Sequence, residues 1–304
     1  MSHMRRLAAL ILLLATALQA AAGPQFTLKV GVDLVNVLFT VRDRNGRLVP
    51  NLSAADFAVE EDGRKQEILH FASESELPLT LAMLIDTSPS VRDVFDEEKR
   101  TAVAFLESIL RPTDLALVIS FDRSVTLQQD FTESTRLLKA AIDELEIGGG
   151  TSLYDAVYLA AQEKLRHEAG RKAMILISDG DDTTSKFNLS TALIAAHQSD
   201  AVVYSISNGG LSRGLLGGEG DPGTLRKLSE DTGGAVFFLK RGADFANIFD
   251  QIANELRSQY SLAYRSTSAA RDGAFRRIKI IPRDSSLSVR ARRGYYAARE
   301  TANK

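Results

Sequence analysis

Three short segments of this chain carry oxygen-bearing side chains that one cation could share. Asp86-Thr87-Ser88-Pro89-Ser90 offers a carboxylate and two hydroxyls at two-residue steps, so a single loop can turn three oxygens toward one point. Gly148-Gly149-Gly150-Thr151-Ser152 presents a hydroxyl on a flexible approach, and Ile177-Ser178-Asp179-Gly180 ends in a carboxylate. Oxygen-only donors suit a hard divalent ion, Mg²⁺ or Mn²⁺, with Ca²⁺ also compatible. Each segment also has a plainer reading. Ser88 and Ser90 would cap the following helix, a glycine run before Thr is a loop, and Asp-Gly is a turn.

The surrounding elements favour the joint reading. Leu79 to Asp86 (LTLAMLID) is a nearly unbroken apolar run, as in a strand covered on both faces. Leu115 to Ser120, Ala173 to Ser178 and Val202 to Ile206 are further buried strands, Val125 to Gln129 an edge strand, and Ala235 to Leu239 the last of the set. Between them, apolar residues recur at helical spacing: Val91 to Ile109, Arg136 to Leu145, Leu153 to Arg166, Leu189 to Ser199, and Asp244 to Arg257. Asp221-Pro222 opens another helix and Gly233-Gly234 closes it. Alternating strands and helices predict an α/β fold, a mostly parallel sheet with helices on both faces. In such sheets ligand sites gather beyond the carboxyl ends of the strands, where all three segments fall. Asn208 to Gly220 is glycine-rich and reads as a mobile loop at the same edge.

Both flanks change to two-residue alternation. Val35, Val37, Phe39 and Val41 precede an Asn45-Gly46 turn, and Phe57 and Val59 lead through Asp62-Gly63 to Ile68 and His70. This predicts a small antiparallel unit of about four strands. After Ser258, Tyr260, Leu262 and Tyr264, then Ile278 and Ile280, then Leu287, Val289 and Ala291 read as three more. Neither half is large enough to stand alone. The expected division is 1–22 leader, 24–75 first part of a β-sandwich, 79–257 the α/β domain, 258–298 the second part of the sandwich, and 299–304 tail.

The set Asp86, Ser88, Ser90, Thr151 and Asp179 resembles the metal-ion-dependent adhesion site (MIDAS) of the von Willebrand factor type A family. That motif is D-x-S-x-S, then a later Thr, then Asp in a T/S-D-G turn. The flanking NGRLVPNLSAADFAVEEDGRKQEILHF, QYSLAYRS and RARRGYYA are similar to an exported bacterial subgroup. The resemblance implies a non-enzymatic module that binds protein through one divalent cation. Ser88 and Ser90 would touch the ion, Thr151 would act directly or through water, and Asp86 and Asp179 through water. The partner would supply an Asp or Glu carboxylate, and the last helix, near Asp244 to Arg257, would respond.

Other chemistries fit less well. A net charge of −2, from 37 basic and 39 acidic residues, gives no reason to expect nucleic acid. No cysteine is present, which excludes thiol catalysis. No Ser-His-Asp set, G-x-S-x-G or P-loop occurs. A haloacid-dehalogenase-like phosphotransferase with Asp86 as nucleophile would need a second Asp at Ser88, and Lys164 or Lys172 between its acidic segments. Asp181 and Asp182 read as solvated loop charges. Asp155 reads as stabilising the start of its helix or the loop before it, and the arginines from Arg271 to Arg293 as solvated faces of edge strands. At the N-terminus, Arg5-Arg6, the apolar Leu7 to Leu18 and Ala20-Ala21-Ala22 have the order of a secretory leader. That predicts an exported protein, periplasmic, surface-held or secreted, with no membrane span once the leader is cut.

Overall fold

The computed structural model describes residues 34–73, 77–208, 220–239, 245–268 and 270–299. The leader, most of the glycine-rich loop at 209–219 and the end of the tail lie outside them. Four strands come first: β1 (Leu34–Arg42), β2 (Phe57–Glu61), β3 (Arg64–Gln66) and β4 (Ile68–Ser73). The α/β layer follows, with strands β5 (Leu79–Asp86), β6 (Leu115–Phe121), β7 (Val125–Thr132), β8 (Arg171–Ser178), β9 (Val202–Ser207) and β10 (Val236–Phe238). Its helices are α1 (Phe95–Ile109), α2 (Thr135–Asp143), α3 (Leu153–Tyr158), α4 (Leu189–Ser199), α5 (Pro222–Thr232) and α6 (Phe245–Arg257). Strands β11 (Tyr260–Arg265), β12 (Phe275–Pro282), β13 (Ser288–Ala291) and β14 (Gly294–Tyr296) close the chain.

The central sheet has the order β10-β9-β8-β5-β6-β7, and only the β6–β7 pair is antiparallel. Every residue of β5 and β8 is buried, which is what their continuous apolar sequence requires of a strand covered twice. One face packs on α1, α2 and α6 through Phe95, Phe105, Leu106, Leu138, Phe249 and Ile252. The other packs on α3, α4 and α5 through Leu153, Val157, Ala192, Ala196 and Leu225. The helix expected over Leu153 to Arg166 starts as α3, widens to a π turn at Leu159–Lys164 and tightens to a 3₁₀ turn at Leu165–His167.

The flanking strands form two four-stranded sheets, ordered β13-β1-β11-β4 and β14-β12-β2-β3. They bury a common core of Val37, Phe39, Leu262 and Tyr264 against Phe57, Val59, Ile278 and Ile280. Phe39 and Phe57 meet edge to face at 5.2 Å across it. The first four strands therefore do not make the local antiparallel unit that their spacing suggests. Only β2 and β3 are hairpin neighbours, through Asp62-Gly63, whereas β11 separates β1 from β4. Alternation specifies which face of a strand is apolar but says nothing about a partner two hundred residues away.

The arginines of the tail also depart from expectation. Arg290 donates to both oxygens of Glu255 at 2.9 Å, and Arg42 of β1 pairs with the same carboxylate. Glu255 lies on α6, and its side chain is 1% exposed. Arg292 pairs with Asp200, and Arg293 reaches Asp231 at 2.8 Å and Glu230 at 2.9 Å. These are ties between the β-sandwich and the α/β layer. Arg277, with its side chain 83% exposed, keeps the solvated role. Glu255→Ala would leave two guanidiniums facing a buried junction. It is expected to lower the unfolding free energy by about 2–3 kcal/mol, less than for a fully buried pair because both arginines keep some water. Urea denaturation checks this, and a loss under about 0.5 kcal/mol would contradict it.

Candidate metal centre

Asp86 is the last residue of the central strand β5 and is fully buried. Both of its carboxylate oxygens are engaged. Oδ1 accepts from the Ser88 amide at 2.8 Å, and Oδ2 accepts from the Ser178 hydroxyl at 2.6 Å, at the end of the adjacent β8. Burial pushes the Asp86 pKa up to about 6, against the pull of the Ser178 and Ser88 hydrogen bonds, and the charge of Asp179 adds to the rise.

The two serines of the loop do not act as helix caps. Ser88 precedes a single 3₁₀ turn at Pro89–Val91 without a side-chain capping bond, and the N-cap of α1 is Val94. Instead the Ser88 and Ser90 hydroxyls lie 2.8 Å apart, one buried and one exposed. Thr151 is buried, and backbone bonds hold it between the other two segments. Gly148 N–H donates to Thr87 O at 2.8 Å, and Thr151 O accepts from the amides of Thr183 and Thr184 at 2.8 and 3.0 Å. The Thr151 amide donates to Thr183 Oγ1 at 2.9 Å.

Asp179 is buried, and Oδ1 accepts from the Asp181 amide at 3.1 Å. Its turn fits against the start of α5 through two glycines. Gly180 has φ +93°, and a Cβ there would lie 2.3 Å from the Asp221 carbonyl oxygen. Gly220 has φ +68°, and a Cβ there would lie 2.3 Å from the Asp179 carbonyl oxygen. Only glycine satisfies both the left-handed backbone and the close approach. Asp221 then caps α5, accepting from the amides of Gly223 and Thr224 at 2.9 and 3.2 Å.

Glu98 and Asn208 were not foreseen. Glu98 of α1 is fully buried, and one of its oxygens accepts from the Asn208 side-chain amide while the other has no partner. Burial first, and then the charges of Asp86 and Asp179, raise its pKa well above the usual range for glutamate. The clue in the sequence is that Glu98 occupies the apolar stripe Phe95, Ala102, Phe105 at helical spacing. Asp86, Asp179 and Glu98 thus share one electrostatic neighbourhood, and among the described residues none forms an ion pair with Lys, Arg or His. Nor does any trio of His, Cys, Asp or Glu among the described residues converge as a metal site. Buried negative charge without a cation, next to hydroxyls released from capping, fits a single hard divalent ion held largely by hydroxyl oxygens.

Two acidic residues have roles other than those expected. Asp182 accepts from the Tyr154 amide at 3.2 Å and from the Ser185 hydroxyl at 2.5 Å, so it fixes the start of α3. Asp155 accepts from the amides of Lys186 at 3.0 Å and Phe187 at 2.9 Å, which pins the loop after β8 and not its own helix. The lysines that phosphoryl transfer would require are elsewhere. Lys164 pairs with Asp130 at 2.7 Å, and Lys172 sits at the opposite end of β8, in register with Thr80. Six residues of strand separate Thr80 from Asp86, about 20 Å.

A model of the von Willebrand factor type A domain matches residues 80–251, more than half of the chain. The chain belongs to the von Willebrand factor type A domain family. Such VWA domains are protein-interaction modules that bind a divalent metal at the MIDAS motif. Inter-alpha-trypsin inhibitor heavy chain H4 of Bos taurus is 26% identical over 215 residues, 64% of this chain and 23% of that protein. Among solved structures, proximal thread matrix protein 1 from the mussel byssus superimposes with a TM-score of 0.52 at 17% identity, covering 65% of this chain and 51% of that one. A form of the same protein with a zinc-occupied MIDAS motif gives 0.50 at 20% identity, covering 64% and 49%. The chain therefore spans about a quarter of the curated relative and half of the mussel protein. At these identities the solved structures show the shared fold.

Two outcomes follow from this geometry. Gly180→Ala is expected to lower stability by about 1–3 kcal/mol through strain at a positive φ, and to displace Asp179. Urea denaturation together with a crystal structure of the variant checks it, and an unchanged midpoint would contradict it. The second concerns pH. The native Asp86 pKa, about 6, lies above the ordinary value of 3.8, so the folded state binds the proton more tightly than the unfolded chain. Metal-free protein should therefore lose up to about 3 kcal/mol of stability as pH rises from about 4 to about 6. The difference between wild type and Asp86→Asn isolates this slope; parallel pH profiles would contradict it.

Proposed function

We propose that the chain is a non-enzymatic, metal-dependent protein-binding module whose MIDAS residues are Asp86, Ser88, Ser90, Thr151 and Asp179. The observation that carries this reading is the buried group of unpaired carboxylates beside the paired Ser88 and Ser90 hydroxyls. When bound, a divalent cation supplies Lewis acidity toward a carboxylate oxygen. Ser88, Ser90 and Thr151 would hold it through neutral oxygens, which leave its positive charge weakly satisfied. Asp86 and Asp179 would balance the charge from behind through water, with Asp86 oriented by Ser178. An Asp or Glu side chain of a partner protein would then complete the coordination, approaching from the side of the exposed Ser90.

Mg²⁺ or Mn²⁺ suits these donors best, and Ca²⁺ is compatible with them. The zinc-occupied motif of the mussel protein supports a divalent ion without selecting one. We further read 79–257 as the binding domain, inserted between the two halves of a sandwich at 24–75 and 258–298. The order of charged, apolar and small residues near the N-terminus supports export to the periplasm, the cell surface or the medium. Among the described residues no helix is long and apolar enough to cross a membrane.

Calorimetric titration of Mg²⁺ and Mn²⁺ into chelator-treated protein should show one ion per chain, lost in Asp86→Ala and kept in Asp182→Asn. Affinity should weaken below about pH 6, because binding must displace the proton that burial favours on Asp86. Binding unaffected by Asp86→Ala would overturn the assignment, as would a robust Mg²⁺-dependent phosphatase rate that Asp86→Ala abolishes.

A further inference from the structure

A second polar site lies far from the metal centre, where the first sheet of the sandwich meets the α/β layer. There a cleft of about 90 Å³ is lined by Asn36, Lys172, His197, Asp200, Thr232 and Arg292. Three of these bring nitrogens with unmet hydrogen-bonding capacity. Lys172, near the start of β8, is nine-tenths buried, and its side chain makes no hydrogen bond or ion pair among the described residues. Burial lowers its pKa, opposed by the more distant charges of Asp200 and Glu168. His197, near the end of α4, is 5% exposed, and its Nδ1 has no partner. Arg292 spends its terminal nitrogens on Asp200 and the Asn36 carbonyl, which leaves Nε buried without a partner.

Among the side chains that line the cleft the cations outnumber the carboxylates, while Glu168 and Asp231 act on Lys172 and His197 from outside the lining. Lys172 and Arg292 contribute two positive charges, and Asp200 is the one carboxylate lining the cleft. Asp200 is 61% exposed at its side chain, where water competes for it. His197 remains neutral near pH 7, its pKa lowered to about 4 by burial and then by Arg292. A neutral imidazole can carry its proton on Nδ1 and donate it. A partly dehydrated ammonium without a counter-ion, and N–H groups without acceptors, cost free energy that a compact oxyanion with several lone pairs would recover.

We propose that this cleft binds a small oxyanion, a phosphate, sulfate or carboxylate group, held among Lys172, Arg292 and His197. The site draws Lys172 and His197 from the α/β layer and Arg292 from the strand connection of the sandwich, so occupancy ties the two layers together. It is independent of the metal centre, since Lys172 lies about 20 Å from Asp86 along the sheet.

The test uses the full chain, free of metal, titrated with inorganic phosphate, sulfate or acetate at constant ionic strength in chloride. The His197 imidazole resonances report on the cleft, and thermal unfolding reports on the tie. Saturable shifts with one of these anions, at least tenfold weaker in Lys172→Met, are expected, with a rise in unfolding temperature that the variant lacks. The arm that saturates first distinguishes a tetrahedral anion from a carboxylate. Absence of saturable shifts in all three arms would overturn the proposal, as would equal affinity in Lys172→Met. Lys172→Gln, which removes the charge but keeps a polar end, provides the same comparison should the methionine variant fold poorly. Mg²⁺ titration of the same samples should be unchanged, which separates this site's failure from failure of the metal centre.

Discussion

A carboxylate removed from water must be supplied with hydrogen bonds, a proton or a cation, and Asp86 sits where this requirement organises its surroundings. It ends the middle strand of a sheet whose neighbours are covered on both faces, so bulk water cannot solvate it. Ser88 and Ser178 supply two hydrogen bonds from two different elements. They do not cancel the cost of burial, to which the charge of Asp179 adds, and burial together with the same two aspartates raises the pKa of Glu98 beside them. The loop after β5, the turn after β8 and the buried face of α1 are thereby coupled through one unsatisfied charge. A divalent cation is the simplest species that would satisfy all three at once.

The remainder of the fold holds that point in place. The parallel register of β5 against β6 and β8 brings the strand tips to one edge. The mutual fit of Gly180 and Gly220 locks the Asp179 turn to the head of α5, and Asp155 and Asp182 tie the third loop to α3. At the opposite end, Glu255 gathers Arg42 and Arg290 and joins α6 to the sandwich. The last helix of the α/β layer thus runs from the layer's core to an ionic junction, so a shift in α6 would have to be accommodated there.

Much of this could be read from the sequence where the cause was local. The buried strands were visible because a strand covered twice must be apolar throughout, and Asp221-Pro222 marked the start of α5 because capping and a fixed φ act within one turn. What escaped notice was non-local. Alternation in β1 shows an apolar face but not that β11 and β13 flank it. The basic tail looked like solvated edges because the acids that claim Arg290, Arg292 and Arg293 lie 35 to 92 residues away. The five proposed metal ligands stood out by type and spacing, but Glu98 was hidden inside a helix, where a charged residue on an apolar stripe is easily passed over. The plainer reading of Ser88 and Ser90 as helix caps fails for a related reason: α1 is capped later, at Val94, and the two hydroxyls meet each other instead.

The central claim is that the Ser88 and Ser90 hydroxyls, with the buried acids behind them, hold one divalent ion. It is tested most directly by electron paramagnetic resonance of free Mn²⁺ in the presence of metal-free protein. The comparison is wild type against a Ser88→Ala/Ser90→Ala double variant shown by circular dichroism to be folded. The account predicts that wild type removes one Mn²⁺ per chain from solution and that the double variant removes almost none at the same concentration. Equal uptake by the two proteins would contradict it.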